Sequence, residues 1–218
     1  MKSQIIISIL LLIFLSTITF KKKIVVKKFD LNKIIIENNS TLMSKELKEL
    51  LVPIYGKNLL FLSNSEIKKI LSQNSFIDSF DTKKIYPNTL KIKIYEKRPI
   101  AILIDKKNKY LLSEQIDLIN FKTDKIFADL PYVRGNQNEF KIFYNNLKKI
   151  NFPFDLVKEY TFYDSGRWDI KTLNGRIIKL PSRNYINKLK NFLSLRTEGN
   201  FKKYKIFDYR INNQIILK

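Results

Sequence analysis

The chain has 218 residues, 44% apolar and 13% aromatic, enough to build one packed domain or two and too apolar for a disordered polymer. It contains no cysteine and no histidine, which removes disulfides, thiol nucleophiles, thiolate metal sites, the commonest general base and the commonest metal ligand. The formal charge is +21, but most of it is lysine alternating with isoleucine and asparagine, so it reads as solvated faces with some attraction for anionic headgroups, and neither a specific nucleic-acid partner nor a cofactor is expected.

Residues 1–4 form a short polar start, and residues 5–20 form a run with no charge inside it. At ~1.5 Å per residue that run covers about 24–27 Å, just enough for a bilayer core with flanking side chains snorkelling. A cleaved signal peptide would need a small-x-small site, for which Thr17-Ile18-Thr19 is the best match. The run reads as an uncleaved signal anchor. Lys21, Lys22 and Lys23 follow it directly in the linker over 21–28, and the positive-inside rule alone would hold the bulk of the chain in the cytoplasm.

A first folded unit is expected over 29–98. Phe29 to Glu37 is β-branched and ends at Asn38-Asn39-Ser40, a strand and a turn. Leu47, Leu50 and Leu51 mark one face of a short helix stopped near Pro53 and Gly56. Asn58 to Leu62 is an apolar linker, and Ser63 to Glu66 fits a capping box before Ile67, Ile70 and Leu71. Two strands follow, about 77–86 and 89–95, separated by the turn signal Tyr86-Pro87-Asn88. In the second, Leu90, Ile92 and Ile94 face one way and Lys91, Lys93 and Tyr95 the other, the alternation of a strand covered on one side. Pro99 closes the run.

Residues 99–218 read as a second unit. Ile100–Ile104 and Tyr110–Leu112 flank a turn-like Asp105-Lys106-Lys107-Asn108, and Leu130–Gly135 holds a short strand with a glycine exit. Phe140, Phe143, Tyr144, Leu147 and Ile150 share a helical face, as do Tyr185, Ile186, Leu189, Phe192 and Leu193. Between those helices Arg167–Leu173 and Arg176–Leu180 form a hairpin whose Asn174-Gly175 predicts a type I′ loop. The chain finishes in two β-like runs, Tyr204–Tyr209 and Ile211–Leu217. Together these predict an α+β protein: a β-α-α-β-β unit, then a mainly antiparallel β domain with flanking helices.

The order of the first unit resembles a POTRA (polypeptide-transport-associated) domain. The matching pieces are Asn58-Leu59-Leu60, the helix about Ser65–Ser72, Phe76-Ile77 and the closing string Tyr86 to Ala101, YPNTLKIKIYEKRPIA. That string resembles the junction of the FtsQ/DivIB family of bacterial division proteins, with Tyr86 where the family usually has Trp. Ser165-Gly166-Arg167-Trp168, Leu173 to Leu180, and Ile206 to Arg210 are similar to further elements of that family, in family order. Tyr209 stands where the family usually has a smaller aliphatic residue.

The resemblance implies a non-catalytic, single-pass scaffold of the division apparatus. Its amino terminus would be cytoplasmic, its bulk periplasmic, and it would be anchored in the cytoplasmic (inner) membrane and enriched at the division septum. It implies FtsB-like and FtsL-like partners docking on a carboxyl-terminal edge strand, with other division proteins reached through the POTRA domain. By position, the partner-binding residues are Asp208, Tyr209, Arg210, Ile211, Asn213, Ile215 and Leu217. Physically, an open edge presents unpaired N–H and C=O groups that a partner strand can complete, and Tyr and Arg suit interface anchors. The plainer reading of Trp168 and Asp208 is structural, one as core and one as an ion-pair or capping group. No catalytic residue is expected: Glu96 and Arg98 read as solvated charges, and there is no Gly-x-Ser-x-Gly nucleophile motif. The alternative is a POTRA-type chaperone of the cell envelope, for which one POTRA unit and too little chain for a barrel are unfavourable.

Overall fold

The structure is a computed structural model that describes residues 2–17, 27–37, 44–106, 108–120 and 125–218. Helix α1 (Lys2–Thr17) has 16 residues, and every apolar side chain from Ile5 to Phe14 is more than half exposed. At ~1.5 Å per residue it spans about 24 Å, less than a bilayer core. No helix among the described residues is long and apolar enough to cross a membrane. The expected span over 5–20 and most of the linker over 21–28 run into residues outside those described.

The chain forms two compact units. The smaller comprises the described residues up to Leu71 together with Asp81–Lys93, and the larger comprises Ser72–Phe80 and the described residues of Ile94–Lys218. Compactness therefore divides the chain inside the hairpin that precedes Pro99, whereas the change in sequence character falls after Arg98.

In the first part of the chain, β1 (Lys33–Glu37), α2 (Ser44–Leu50) and α3 (Asn64–Leu71) precede β2 (Ile77–Ile85) and β3 (Thr89–Glu96), of which Asp81–Ile85 and Thr89–Lys93 belong to the smaller unit. The sheet order is β1-β3-β2, with β1 parallel to β3 and Ile34 opposite Leu90. Parallel neighbours cannot be joined by a tight turn, so the two helices lie in the crossover that β1 needs. The first strand begins later than the run from Phe29 implied, because Phe29 closes a 3-10 turn and Asp30 makes only a lone bridge to Asn58. At the start of α3 the Ser63 hydroxyl accepts from the Glu66 N–H at 3.2 Å, but the Glu66 carboxylate pairs with Lys57. Half of the capping box forms, and the other half is diverted to a salt bridge. Leu31, Leu47, Leu51, Ile54, Leu59, Ile67, Leu71, Leu90 and Ile92 are all fully buried.

The larger unit is built on nine strands in the order β12-β11-β10-β9-β8-β7-β4-β5-β6. In chain order they are β4 (Pro99–Asp105), β5 (Asn108–Ser113), β6 (Leu118–Asn120), β7 (Tyr132–Arg134), β8 (Val157–Tyr163), β9 (Arg167–Thr172), β10 (Ile177–Lys179), β11 (Ile206–Asp208) and β12 (Ile216–Leu217). The sheet is mixed, for β4 with β7, β7 with β8, and β10 with β11 pair parallel. Helix α4 (Gln137–Lys149) is the crossover from β7 to β8, and α5 (Tyr185–Leu195) the crossover from β10 to β11. Alternation along the strands sends Tyr160, Trp168, Ile170, Ile178 and Phe207 into one core with Phe140 and Phe143 of α4 and Leu189 and Phe192 of α5. Trp168 stacks on Phe143 at 4.7 Å between centroids and 12° between planes.

The β9–β10 loop differs from the type I′ expectation. Only Gly175 has a positive φ, +81°, while Asn174 does not. Gly175 N–H donates to the Thr172 carbonyl and Thr172 N–H to the Arg176 carbonyl, closing a three-residue loop with glycine in the left-handed position. Leu173 thereby joins the turn and is 64% exposed.

The face assignment of β3 is directly testable, since Leu90, Ile92 and Ile94 are each 0% exposed. Ile92→Asp buries a charge with no partner and is expected to cost about 3–5 kcal/mol. Chemical denaturation should show an early transition for residues up to 98. An unchanged unfolding profile would contradict the assignment.

Candidate functional site

The predicted docking residues cluster where the sheet ends. Strand β11 pairs parallel with β10, setting Asp208 opposite Lys179, and antiparallel with β12, setting Asp208 opposite Ile216 and Phe207 opposite Leu217. Ile206 and Lys218 exchange both backbone hydrogen bonds. In an antiparallel ladder such closed pairs alternate with open ones, so Leu217 occupies an open position and its N–H and C=O point away from β11. Because β12 is the last strand in the sheet order, those groups lie on the sheet's outer edge.

The expected strand over 211–217 is much shorter than its β-like composition implied. Only Ile216–Leu217 is strand, because Asn213 adopts a left-handed φ of +56° and Gln214 N–H donates back to the Ile211 carbonyl. Ile211 is 48% exposed in this turn, whereas Ile215 and Leu217 pack against the core. Tyr209 is also core, at 2% exposure. Its N–H donates to the Lys179 carbonyl and its hydroxyl donates to Asn191 of α5 at 2.9 Å. Burial pushes its phenol well above the usual range. An exposed anchoring role for Tyr209 is therefore corrected: it closes the sheet onto α5. Trp168 is core, and Asp208 is an ion-pair group.

Arg210 grips Asp208 with two bonds, Nε to Oδ1 at 2.8 Å and Nη2 to Oδ2 at 2.5 Å, and its backbone N–H adds a third at 3.1 Å. Hydrogen bonding from Arg210 holds the Asp208 carboxyl below its usual range against the opposing effect of burial. The Arg210 side chain stays more than a third exposed, so it is oriented yet still reachable from solvent.

Sequence reading missed the charged array beside this pair. Asp169 of β9, Lys179 of β10 and Asp208 of β11 stand in cross-strand register on the face opposite the core. Asp169 is buried with one carboxylate oxygen lacking a hydrogen bond, as does the Nε of Arg167. Burial raises the Asp169 carboxyl despite nearby Arg167 and Lys179, and the Arg167 guanidinium lies 4.4 Å from the Tyr163 ring. The alternation in Arg167-Trp-Asp-Ile-Lys puts Arg167 and Asp169 on one face, a readable signal. The parallel partner of β10 left no such mark. A Ser-x-x-Lys spacing also runs from Ser65 to Lys68 in α3. Both residues are exposed, so nothing desolvates the lysine into a base. Among the described residues no three carboxylates gather as a metal site would require.

The lowered pKa of Asp208 has a definite sign. Its stabilisation is present above the unfolded carboxylate pKa and is lost as pH falls through the lower folded value. Asp208→Asn is expected to cost about 1 kcal/mol at neutral pH. It should also flatten the decline in melting temperature between about pH 5 and pH 2 relative to the unchanged chain. Parallel curves for the two proteins would contradict the assignment.

The family described as "POTRA domain, FtsQ-type" matches residues 29–97, and "Cell division protein FtsQ/DivIB, C-terminal" matches residues 101–210. The chain is 26% identical over 199 residues to the cell division protein FtsQ of Rickettsia bellii, covering 87% of this chain and 72% of that protein. It is 23% identical over 128 residues to FtsQ of Rhizobium meliloti, covering 58% and 41% respectively. Among solved structures, the major extracytoplasmic domain of DivIB from Geobacillus stearothermophilus matches with a TM-score of 0.34 and 16% identity, over 47% of this chain and 92% of that one. The two family matches together run through both folded units, and the chain belongs to the FtsQ/DivIB family of cell division proteins.

Proposed function

We propose that this chain is a non-catalytic, membrane-anchored scaffold of the division apparatus that recruits FtsB-like and FtsL-like partners by strand addition at β12. The observation that carries the reading is the outward-facing backbone of Leu217 on the last strand of the sheet. A two-residue strand offers little on its own, so the partner must extend past it. Arg210, oriented by Asp208, provides a cation beside the edge for an acidic residue of the added segment. Ile211 provides exposed apolar surface in the adjoining turn. Asn213 shapes that turn, while Tyr209, Ile215 and Leu217 fix the edge from the core side.

The apolar surface of α1 around its whole circumference supports an anchor in the inner membrane, with residues 21–28 as a basic linker at the headgroups. In this reading residues 29–98 act as a POTRA domain that meets further division proteins, residues 99–218 carry the partner edge, and the bulk is periplasmic at the septum.

The test is a semisynthetic chain with N-methylated Leu217, which keeps the side chain and removes one outward donor. Affinity for its own FtsB-like partner is expected to fall about tenfold, the value of one hydrogen bond left unmade, with the melting temperature unchanged. Unchanged affinity would rule out strand addition at this edge.

A further inference from the structure

A second docking feature lies at the opposite end of β10 from the charged array. The tip of the β9–β10 hairpin and the carboxyl end of α5 enclose a cleft of about 380 Å³, within the range of sites that hold a small ligand or a few side chains. Its apolar lining is Leu156, Leu173 and Phe192, and its cationic walls are Arg176 and Arg196. No carboxylate lines it. Arg98, Arg134 and Arg210 each pair with a carboxylate, but among the described residues Arg176 and Arg196 do not. Arg176 is nevertheless held in place: its Nη2 donates to the Lys202 carbonyl at 3.3 Å, and its guanidinium lies 6.0 Å from the Phe207 ring.

We infer that this cleft docks a partner segment carrying an apolar side chain flanked by carboxylates. Charge complementarity argues for the occupant. Arg176, which is held in place, and Arg196 have no acidic partner among the described residues, and with the exposed Lys202, whose carbonyl accepts from Arg176, and its neighbour Lys203 they create a positive rim over an apolar floor. Leu173 extends that floor at a turn position where folding has no need of an apolar residue, and it is 64% exposed. Arg196 alone has a simpler use, offsetting the carbonyl end of α5. That use does not account for Arg176 or Leu173. An acidic peptide satisfies both the floor and the rim, whereas a lipid headgroup would engage the rim alone. The cleft shares no lining residue with the β12 edge, so its failure would leave the edge reading intact.

The experiment uses the full chain in zwitterionic nanodiscs and a fluorescein-labelled peptide of alternating glutamate and leucine, read by anisotropy. Saturable binding that weakens as salt rises is expected. The double variant Arg176→Glu with Arg196→Glu should weaken it about tenfold or more, and Leu173→Ala several-fold. Lys109→Glu with Lys141→Glu makes the same charge change away from the cleft and should leave affinity within about twofold. If reversal lowers the melting temperature, Arg176→Gln with Arg196→Gln reads the same site. Equal weakening by the two lysine and two arginine reversals would reduce the effect to bulk charge and overturn the proposal. So would cleft variants that bind the peptide unchanged while losing anionic phosphatidylglycerol vesicles.

Discussion

Neighbouring strands that run parallel cannot be closed by a hairpin, and that constraint shapes the larger unit. The pairs β7–β8 and β10–β11 each require a crossover, and α4 and α5 supply them. Both helices bury their apolar stripes on the same face, where Phe143 stacks on Trp168 and Phe192 meets Phe207 edge-on. One face of the sheet is therefore closed. On the other face, polar alternation sets Asp169, Lys179 and Asp208 with their arginines at the β9–β11 end, while Ile102, Leu111 and Ile119 are buried at the β4–β6 end.

The same crossover determines the character of the edge. Returning through α5, the chain lays β11 beside β10 and then folds β12 back against β11. Tyr209 ties this last step to α5 through Asn191, so the edge is fastened from within by a buried phenol. Its free groups are backbone groups, and the side chains near it divide the work. Leu217 and Ile215 hold it to the core, Asp208 orients Arg210, and Ile211 stays in solvent. An edge held rigidly in this way would add a partner strand with little further ordering cost.

What the sequence made legible follows the range of each signal. The faces of β3 and α4 are readable because period two and period 3.6 are local, and both match the buried residues. The β9–β10 hairpin is readable in position but not in turn type, since Asn-Gly also serves a three-residue loop with glycine left-handed. The parallel pairing of β10 with β11 joins residues about thirty apart across a helix, and no local pattern encodes it. Tyr209 looked like a surface anchor because tyrosine is equally at home in a core when its hydroxyl finds a partner, and that partner, Asn191, lies on another element. The run 211–217 misled for a related reason: its isoleucines are β-formers, but Asn213 in the left-handed region breaks the strand.

The central claim is that the outer backbone of β12 is where a partner strand adds. Residue-resolved hydrogen exchange of the full chain, with and without the proposed FtsB-like protein, tests it most directly. New protection is predicted at the Leu217 amide and, one period away, at Ile215, while the Ile216 amide, already turned inward, changes little. Protection that appears elsewhere while Leu217 continues to exchange as in the free chain would contradict it.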